Sequence, residues 1–137
     1  RVFPRYRGNG VTRLHSALAD GDLLHPGPRP QSADLVFWDN TYDANSDGRW
    51  NDPLTHVGMV MEVQREGTVV YVHYHYRKGV VLERMNLSRP SLARERGFGG
   101  WVLLNSPMRM AGTFGPGDPT LAGELFRAFG HAWRLPL

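Results

Sequence analysis

The sequence of 137 residues contains no cysteine and a single lysine, Lys78. Without a thiol the chain can form no disulfide and no thiolate metal site. No apolar run approaches the ~18 residues of a membrane-spanning helix, and no charged segment followed by an apolar stretch marks a signal peptide. The other basic residues are scattered arginines in a chain of net charge +3. The sequence therefore predicts no disulfide framework, no transmembrane segment and no nucleic-acid partner.

The length predicts a single domain over residues 1–137. Apolar alternation and β-branched residues predict strands at 34–38, 55–64, 68–76, 80–85 and 101–104, with irregular chain at 86–100. Thr12 is expected to cap a helix over 13–20. We therefore predict an α+β fold with a central antiparallel sheet of about four or five strands and flanking helices.

A second helix is predicted near the C-terminus, at residues 120–133. It would be the one amphipathic helix of a C-terminal extension covering 105–137. Apolar side chains three and four residues apart form its expected buried stripe. These side chains are Leu121, Leu125, Phe126, Phe129 and Trp133.

Three histidines are predicted to share one face of a β-hairpin. If the strands pair across the turn at 65–66, Gly58 lies opposite His73 and His56 lies opposite His75. Gly58 is expected to leave open space beside His73, and the opposite face, rich in Val and Met, is expected to face the core. A histidine oriented by a second polar group is the general base of a nucleophilic triad. The alternative is three strand histidines on a half-exposed face. The other histidines, His15, His25 and His131, lack a patterned partner and are predicted to be structural.

The segments DLVFWDN (34–40), THVGMVMEV (55–63) and GTVVYVHYHYRKGV (67–80) resemble the NlpC family of cell-wall cysteine peptidases and the related CHAP amidases. In those families a GDLVFF strand precedes a strand opening with HVG, whose histidine is catalytic, and a polar residue of the next strand orients it. The resemblance covers residues 30–87 and implies a papain-like core. It also implies that His56 is the catalytic base and His73 its orienter, with His75 as the alternative. A secreted or cell-envelope protein acting on peptidoglycan is implied as well.

The cysteine nucleophile of the family, at the start of a helix upstream of the DLVF strand, has no counterpart here. The chain begins with Arg1 and not with Met, and we expect the nucleophile in a preceding segment or in another chain. The expected function is a Cys–His peptidoglycan hydrolase to which this chain contributes the histidine half. Two alternatives stay open. One is an inactive relative that binds the cell wall or assembles with partners, and the other is a metal-dependent hydrolase built on the histidines.

Residues 43–52, DANSDGRWND, match the first half of a calcium-binding loop. Oxygens at alternate positions converge when such a loop curls, and a glycine allows the sharp turn. Position twelve is Leu54 where an EF-hand has a bidentate Glu, so a turn stabilised by its own Asp and Asn side chains is an equal alternative. The predicted chemistry requires no cofactor, and calcium is the metal that this loop predicts. The candidate ligands are Asp43, Asn45, Asp47, the Arg49 carbonyl, Asn51 and Asp52.

Overall fold

The structure is a computed structural model that describes residues 6–136. Its elements in chain order are α1 (Gly10–Asp20), β1 (Leu24–His25), β2 (Leu35–Trp38), β3 (His56–Val63), β4 (Val69–His75), β5 (Gly79–Met85), β6 (Arg94–Gly97), β7 (Gly100–Leu103), β8 (Phe126–Gly130) and a 3₁₀ turn (Ala132–Arg134). The main sheet has the strand order β1-β8-β2-β3-β4-β5, and β6 and β7 form a separate hairpin. Among the described residues, no helix is both long and apolar enough to cross a membrane.

The predicted α+β class with an antiparallel sheet is confirmed, although the main sheet has six strands. The first helix begins at Gly10 because Asn9 caps it in place of Thr12. The Asn9 Oδ1 accepts a hydrogen bond of 2.9 Å from the backbone N–H of Thr12, which satisfies a free donor of the first turn. The stretch 86–100, predicted to be irregular, contains β6, which pairs with β7 across a tight turn.

The predicted helix at residues 120–133 is wrong, because this segment contains β8, which lies between β1 and β2 in the main sheet. Phe129 is fully buried from its place in this strand. Gly130 permits the close approach of α1, since a Cβ there would lie 2.6 Å from Leu18 Cδ1. Gly123 and Gly130 also lower helix propensity. The two neighbouring strands supply the backbone partners that a helix would have found within itself.

Two clusters of buried side chains form the core. The smaller lies between α1 and β2 and contains Leu18, Leu23, Leu35 and Phe37. The larger lies on the other face of the sheet, where the loop after β7 and the segment before β8 cover the strands. It contains Val36, Trp38, Val60, Val69, Tyr71, Met85, Met108, Ala122, Leu125 and Phe129.

The core side of the hairpin is the histidine face, so the prediction that its Val- and Met-rich face is buried is wrong. Met59 and Met61 are 41% and 49% exposed, and Tyr74 is 68% exposed. The reason is that α1 covers this face of the sheet only near β2. Alternation separates the two faces of a strand but does not say which one the rest of the chain will cover.

Asp34 holds three distant parts of the chain together just before β2. Its fully buried carboxylate accepts hydrogen bonds from the backbone N–H of Gln31 (2.9 Å), His131 Nδ1 (2.7 Å), Trp133 Nε1 (2.9 Å) and His25 Nε2 (3.1 Å). Burial opposes the ionisation of Asp34, but these hydrogen bonds outweigh it and hold its pKa below the usual value. His25 and His131, predicted to be structural, thus tie β1 and the C-terminal turn to β2.

Replacing Asp34 by Asn is expected to lower the free energy of unfolding by about 3 kcal/mol at neutral pH, since the amide loses the charge that strengthens these hydrogen bonds. The folded-state pKa of Asp34 is lowered, so its contribution is present above the unfolded-state pKa of about 3.9 and is lost as pH falls through the folded-state value. Denaturant unfolding measured at a series of pH values should show that the wild type loses this advantage over Asp34→Asn below about pH 4.

Asp22→Asn is the matched control, because Asp22 is exposed and has a φ of 55° that Asn tolerates. Its stability should stay within about 0.5 kcal/mol of the wild type. An Asp34→Asn variant as stable as Asp22→Asn at neutral pH would contradict the proposed tie.

Candidate functional site

His56 opens β3 and His73 lies in β4, both on the core-facing side of the sheet. Near these histidines the strand pairing is the predicted one, with Met59 opposite Val72. Toward the turn, a β-bulge between residues 60 and 62 shifts the pairing by one residue. The histidine end of the hairpin is unaffected, so the two imidazoles meet across the strands.

A continuous series of hydrogen bonds joins these histidines to a carboxylate on β5. His56 Nε2 lies 2.8 Å from His73 Nδ1, and His73 Nε2 lies 2.7 Å from Glu83 Oε1. The Nζ of Lys78 lies 3.7 Å from the other carboxylate oxygen, Oε2. We call this arrangement the Glu83–His73–His56 chain.

The carboxylate determines where the protons of the Glu83–His73–His56 chain reside. An ionised carboxylate can only accept, so His73 donates through Nε2–H, and the Nδ1 of the neutral ring is an acceptor. His56 must then donate its Nε2–H to that nitrogen. The Nδ1 of neutral His56 is left with a free lone pair, and it has no hydrogen-bond partner among residues 6–136.

Burial and charge favour these protonation states. Burial opposes the ionisation of Glu83, but the hydrogen bond from His73 and the nearby positive charge of Lys78 help to outweigh it and place the Glu83 pKa below its usual value. Burial, assisted by the neighbouring His73 and His75, lowers the pKa of His56 to about 4, although Glu83 opposes the shift. At neutral pH His56 is therefore uncharged and its Nδ1 can accept a proton.

His75 lies in the same cleft but outside the Glu83–His73–His56 chain. Its Nδ1 accepts hydrogen bonds from the backbone N–H groups of Arg77 and Lys78, at 3.1 and 3.2 Å. The ring stacks on Tyr76, with centroids 4.9 Å apart, and its centroid is 6.0 Å from that of His73. The geometry therefore brings His73 to His56 and uses His75 to hold the turn between β4 and β5.

The space beside Gly58 is filled, so the prediction of open space there is wrong. A Cβ at Gly58 would lie 3.0 Å from the Val72 carbonyl oxygen, 3.2 Å from the Trp38 ring and 3.3 Å from the His73 Cβ. Trp38 is itself fixed by a hydrogen bond of 3.0 Å from its Nε1 to the Ala122 carbonyl. Gly58 thus allows a buried indole to pack against the histidines and to exclude water from one side.

A cleft of about 550 Å³ opens beside the three histidines and falls within the size range of small-ligand sites. Its walls are mostly apolar and aromatic, and Arg77 and Lys78 provide positive charge. Other lining residues include Val11, Tyr42, Tyr74, Tyr76, Met108 and Met110.

The three histidines do not converge as metal ligands would. Both ring nitrogens of His73 and the Nε2 of His56 are already used within the Glu83–His73–His56 chain, and His75 Nδ1 is used by its turn. The geometry therefore favours an acid–base role for His56. Within the described part of the chain, ligand-type side chains gather at two other places, namely His25, Asp34 and His131, and Asp43, Asp47 and Asp52.

The loop at residues 43–52 brings three of its six candidate calcium ligands together. Carboxylate oxygens of Asp43, Asp47 and Asp52, one from each, all lie within 4.8 Å of one another. The other three, Asn45, Arg49 and Asn51, are hydrogen-bonded to Asp47 at 3.2, 2.9 and 3.0 Å.

Glu83 is the member of the site that the sequence reasoning missed. The short turn at residues 76–78 pairs His75 with Gly79 and Tyr71 with Glu83. Since alternate residues share a face, Glu83 lies on the histidine side, diagonal to His73. The alternation of residues along β5, combined with the tight turn before it, would have predicted that Glu83 lies beside His73.

Comparison of the chain with known protein families, with curated proteins and with solved structures finds no match. The NlpC/CHAP resemblance therefore rests on the residue pattern alone and stays a prediction. The same holds for the catalytic roles of His56, His73 and His75.

The folded protein should lose stability as the pH falls from about 6.5 to about 4. The reason is that His56 becomes protonated near pH 6.5 in the unfolded chain but only near pH 4 in the folded chain. The expected loss is up to about 3 kcal/mol. An NMR titration of the His56 imidazole should give a midpoint near pH 4. Denaturant unfolding at a series of pH values should show the free energy of unfolding falling between pH 6.5 and pH 4. His56→Gln, which cannot titrate, should flatten the stability profile in this range. A His56 midpoint near 6.5 would contradict the buried neutral ring.

Proposed function

We propose that this chain provides the histidine half of a Cys–His hydrolase site that cleaves amide bonds in peptidoglycan peptides. The thiol would come from outside residues 1–137, because the sequence contains no cysteine. His56 is the proposed general base and acid, His73 its orienter, and Glu83 the residue that fixes the orienter.

One observation carries the proposal: the free Nδ1 lone pair of His56 beside a cleft. The Glu83–His73–His56 chain occupies Nε2, so the reactive nitrogen is the one that is left to meet a nucleophile or substrate. In a triad, the second polar group likewise holds the imidazole in one tautomer and one orientation.

The chemistry follows from these positions. The thiol proton passes to His56 Nδ1, and the resulting imidazolium is favoured by the adjacent thiolate, which raises the low pKa of the free ring. The sulfur attacks the amide carbon and forms the C–S bond. The C–N bond breaks as His56 returns the proton to the departing amine. Water then attacks the thioester while His56 takes one of its protons, and that proton returns to the sulfur as the C–S bond breaks.

The cleft suits this substrate class. Its apolar and aromatic walls accommodate a short peptide, and Arg77 and Lys78 complement carboxylates. Peptidoglycan as the source of that peptide follows from the resemblance of residues 30–87 to the NlpC and CHAP families. A secreted or cell-envelope location follows in the same way and belongs to the same proposal.

A binding module is the second candidate, and the absence of a thiol from these 137 residues favours it. In that case the same cleft would hold a cell-wall peptide without cleaving it. The aromatic rings of Tyr42, Tyr74 and Tyr76 would contact the ligand. Binding to purified cell wall without release of peptide would select this candidate.

The test uses the complete product of the encoding gene with peptidoglycan fragments as substrate. We expect amide cleavage that iodoacetamide abolishes, since alkylation blocks the thiolate. His56→Gln should lower kcat by at least about 10³-fold, because it removes the base while Gln can still donate to His73. Glu83→Ala should lower kcat by about 10- to 100-fold and change the pH profile, because the tautomer of His73 is no longer fixed.

His75→Gln is the control, because it changes a histidine of the same cleft outside the Glu83–His73–His56 chain. Its effect on kcat should stay within about threefold. A gene product with no cysteine would exclude a nucleophile from the same chain, and activity that survives His56→Gln would exclude the Cys–His mechanism.

A further inference from the structure

Two buried carboxylate oxygens in the loop at residues 43–52 have no hydrogen-bond partner. They are Asp43 Oδ1 and Asp52 Oδ2, and Asp52 is only 4% exposed. The other oxygen of each side chain is used, since Asp43 Oδ2 accepts from the N–H of Gly48 at 2.8 Å and Asp52 Oδ1 from that of Ala44 at 3.2 Å. An unpaired buried oxygen on a charged group is strongly unfavourable unless an ordered water or a cation meets it, and a cation also balances the charge.

The carboxylates of this loop have no direct ion-pair partner in the described part of the protein. No Lys, Arg or His in residues 6–136 forms an ion pair with Asp43, Asp47 or Asp52. The other group of ligand-type side chains is different, because both oxygens of Asp34 are fully used by hydrogen bonds. Of these two groups in the described part of the chain, the acidic loop is the one with unsatisfied oxygens, those of Asp43 and Asp52, whereas both oxygens of Asp47 accept hydrogen bonds.

We propose that Asp43, Asp47 and Asp52 bind a calcium ion. Ligand oxygens from the three residues already lie within 4.8 Å of one another, which is the spread expected around an ion with Ca–O distances of about 2.3–2.6 Å. The set contains only oxygen, which selects a hard cation, and an irregular loop suits the variable geometry of calcium better than the strict octahedron of magnesium. Asp52 replaces the Glu that an EF-hand carries two positions later.

The ion would stabilise the segment that leads into His56. Asp52 is joined to the end of β2 by two hydrogen bonds with Asn40, at 2.8 and 2.9 Å. In the sequence, Trp50 lies between Asp47 and Asp52, and its side chain packs against the larger core cluster. The Arg109 guanidinium lies 4.0 Å from the centroid of the Trp50 ring. An ion that ties Asp43 to Asp52 would therefore order the loop between β2 and β3.

The test measures binding and stability and does not depend on hydrolysis. Calorimetry of chelator-treated protein with CaCl₂ should give one site with a Kd between about 10 μM and 1 mM. A calcium concentration of about 100 times Kd should raise Tm by about 5 °C or more, and MgCl₂ should raise it much less. Terbium, used as a calcium probe, should give luminescence sensitised by Trp50 that calcium displaces and that Trp50→Phe reduces.

Three variants and a control decide which residues bind the ion. Asp43→Asn and Asp52→Asn should each weaken calcium binding at least about tenfold. In the presence of chelator Asp52→Asn should be at least as stable as the wild type, because it removes a buried unpaired charge. Asp47→Asn, at an exposed position, tests the site if a buried variant fails to fold. Asp22→Asn should bind calcium normally. Absence of binding heat and of any Tm change at 10 mM calcium would overturn the proposal. So would calcium binding by Asp43→Asn and Asp52→Asn that is as tight as that of the wild type.

Discussion

The hydrogen bond between the Glu83 carboxylate and His73 Nε2 determines what the other imidazole of the site can do. It is short, at 2.7 Å, and the Glu83 side chain is only 11% exposed. A carboxylate at this place removes the freedom of His73 to choose a tautomer, and His73 in turn removes that freedom from His56. A neutral acceptor in its place would leave two proton arrangements close in energy. The donor-to-acceptor direction of the hydrogen bonds in the Glu83–His73–His56 chain, and hence the reactive nitrogen of His56, depends on the Glu83 charge.

The Glu83 charge persists, although burial opposes it, because His73 donates a hydrogen bond to one oxygen and the Lys78 Nζ lies 3.7 Å from the other. The histidines beside it are part of the core. Trp38 and Tyr71 are fully buried beside the histidines. The absence of a side chain at Gly58 leaves room for the Trp38 indole, whose ring centroid lies 5.7 Å from that of His56 and 6.4 Å from that of His73. The same packing that excludes water keeps His56 uncharged at neutral pH and strengthens the hydrogen bonds of the Glu83–His73–His56 chain. Stability and reactivity are therefore linked, and a substitution that loosens Trp38 would act on the protonation of His56 as well as on folding.

Strand alternation predicted much of this arrangement, because period-two patterns are local. The central strands and the shared face of His56 and His73 follow from residues 34–85 alone, and the helix predicted at 13–20 completes the α+β class. The C-terminal segment did not follow, because Leu125 and Phe129 satisfy a helical spacing and only insertion between β1 and β2 decides in favour of a strand. The buried face of the hairpin and the role of Glu83 also depend on which distant segment covers which surface. Those contacts are long-range, and no window of sequence contains them.

The loop between β2 and β3 connects the acidic cluster to the base through backbone geometry. The N–H of Leu54 donates to Asp39 Oδ1 at 2.8 Å, and that of Thr55 donates to the Trp38 carbonyl at 3.0 Å. Trp38 also pairs with His56 across β2 and β3. A cation in the acidic cluster would therefore be linked to the position of His56 through the backbone hydrogen bonds that lie between the two places. Such coupling is reciprocal. If the ion strengthens the binding of a ligand in the cleft, that ligand strengthens the binding of the ion by the same free energy.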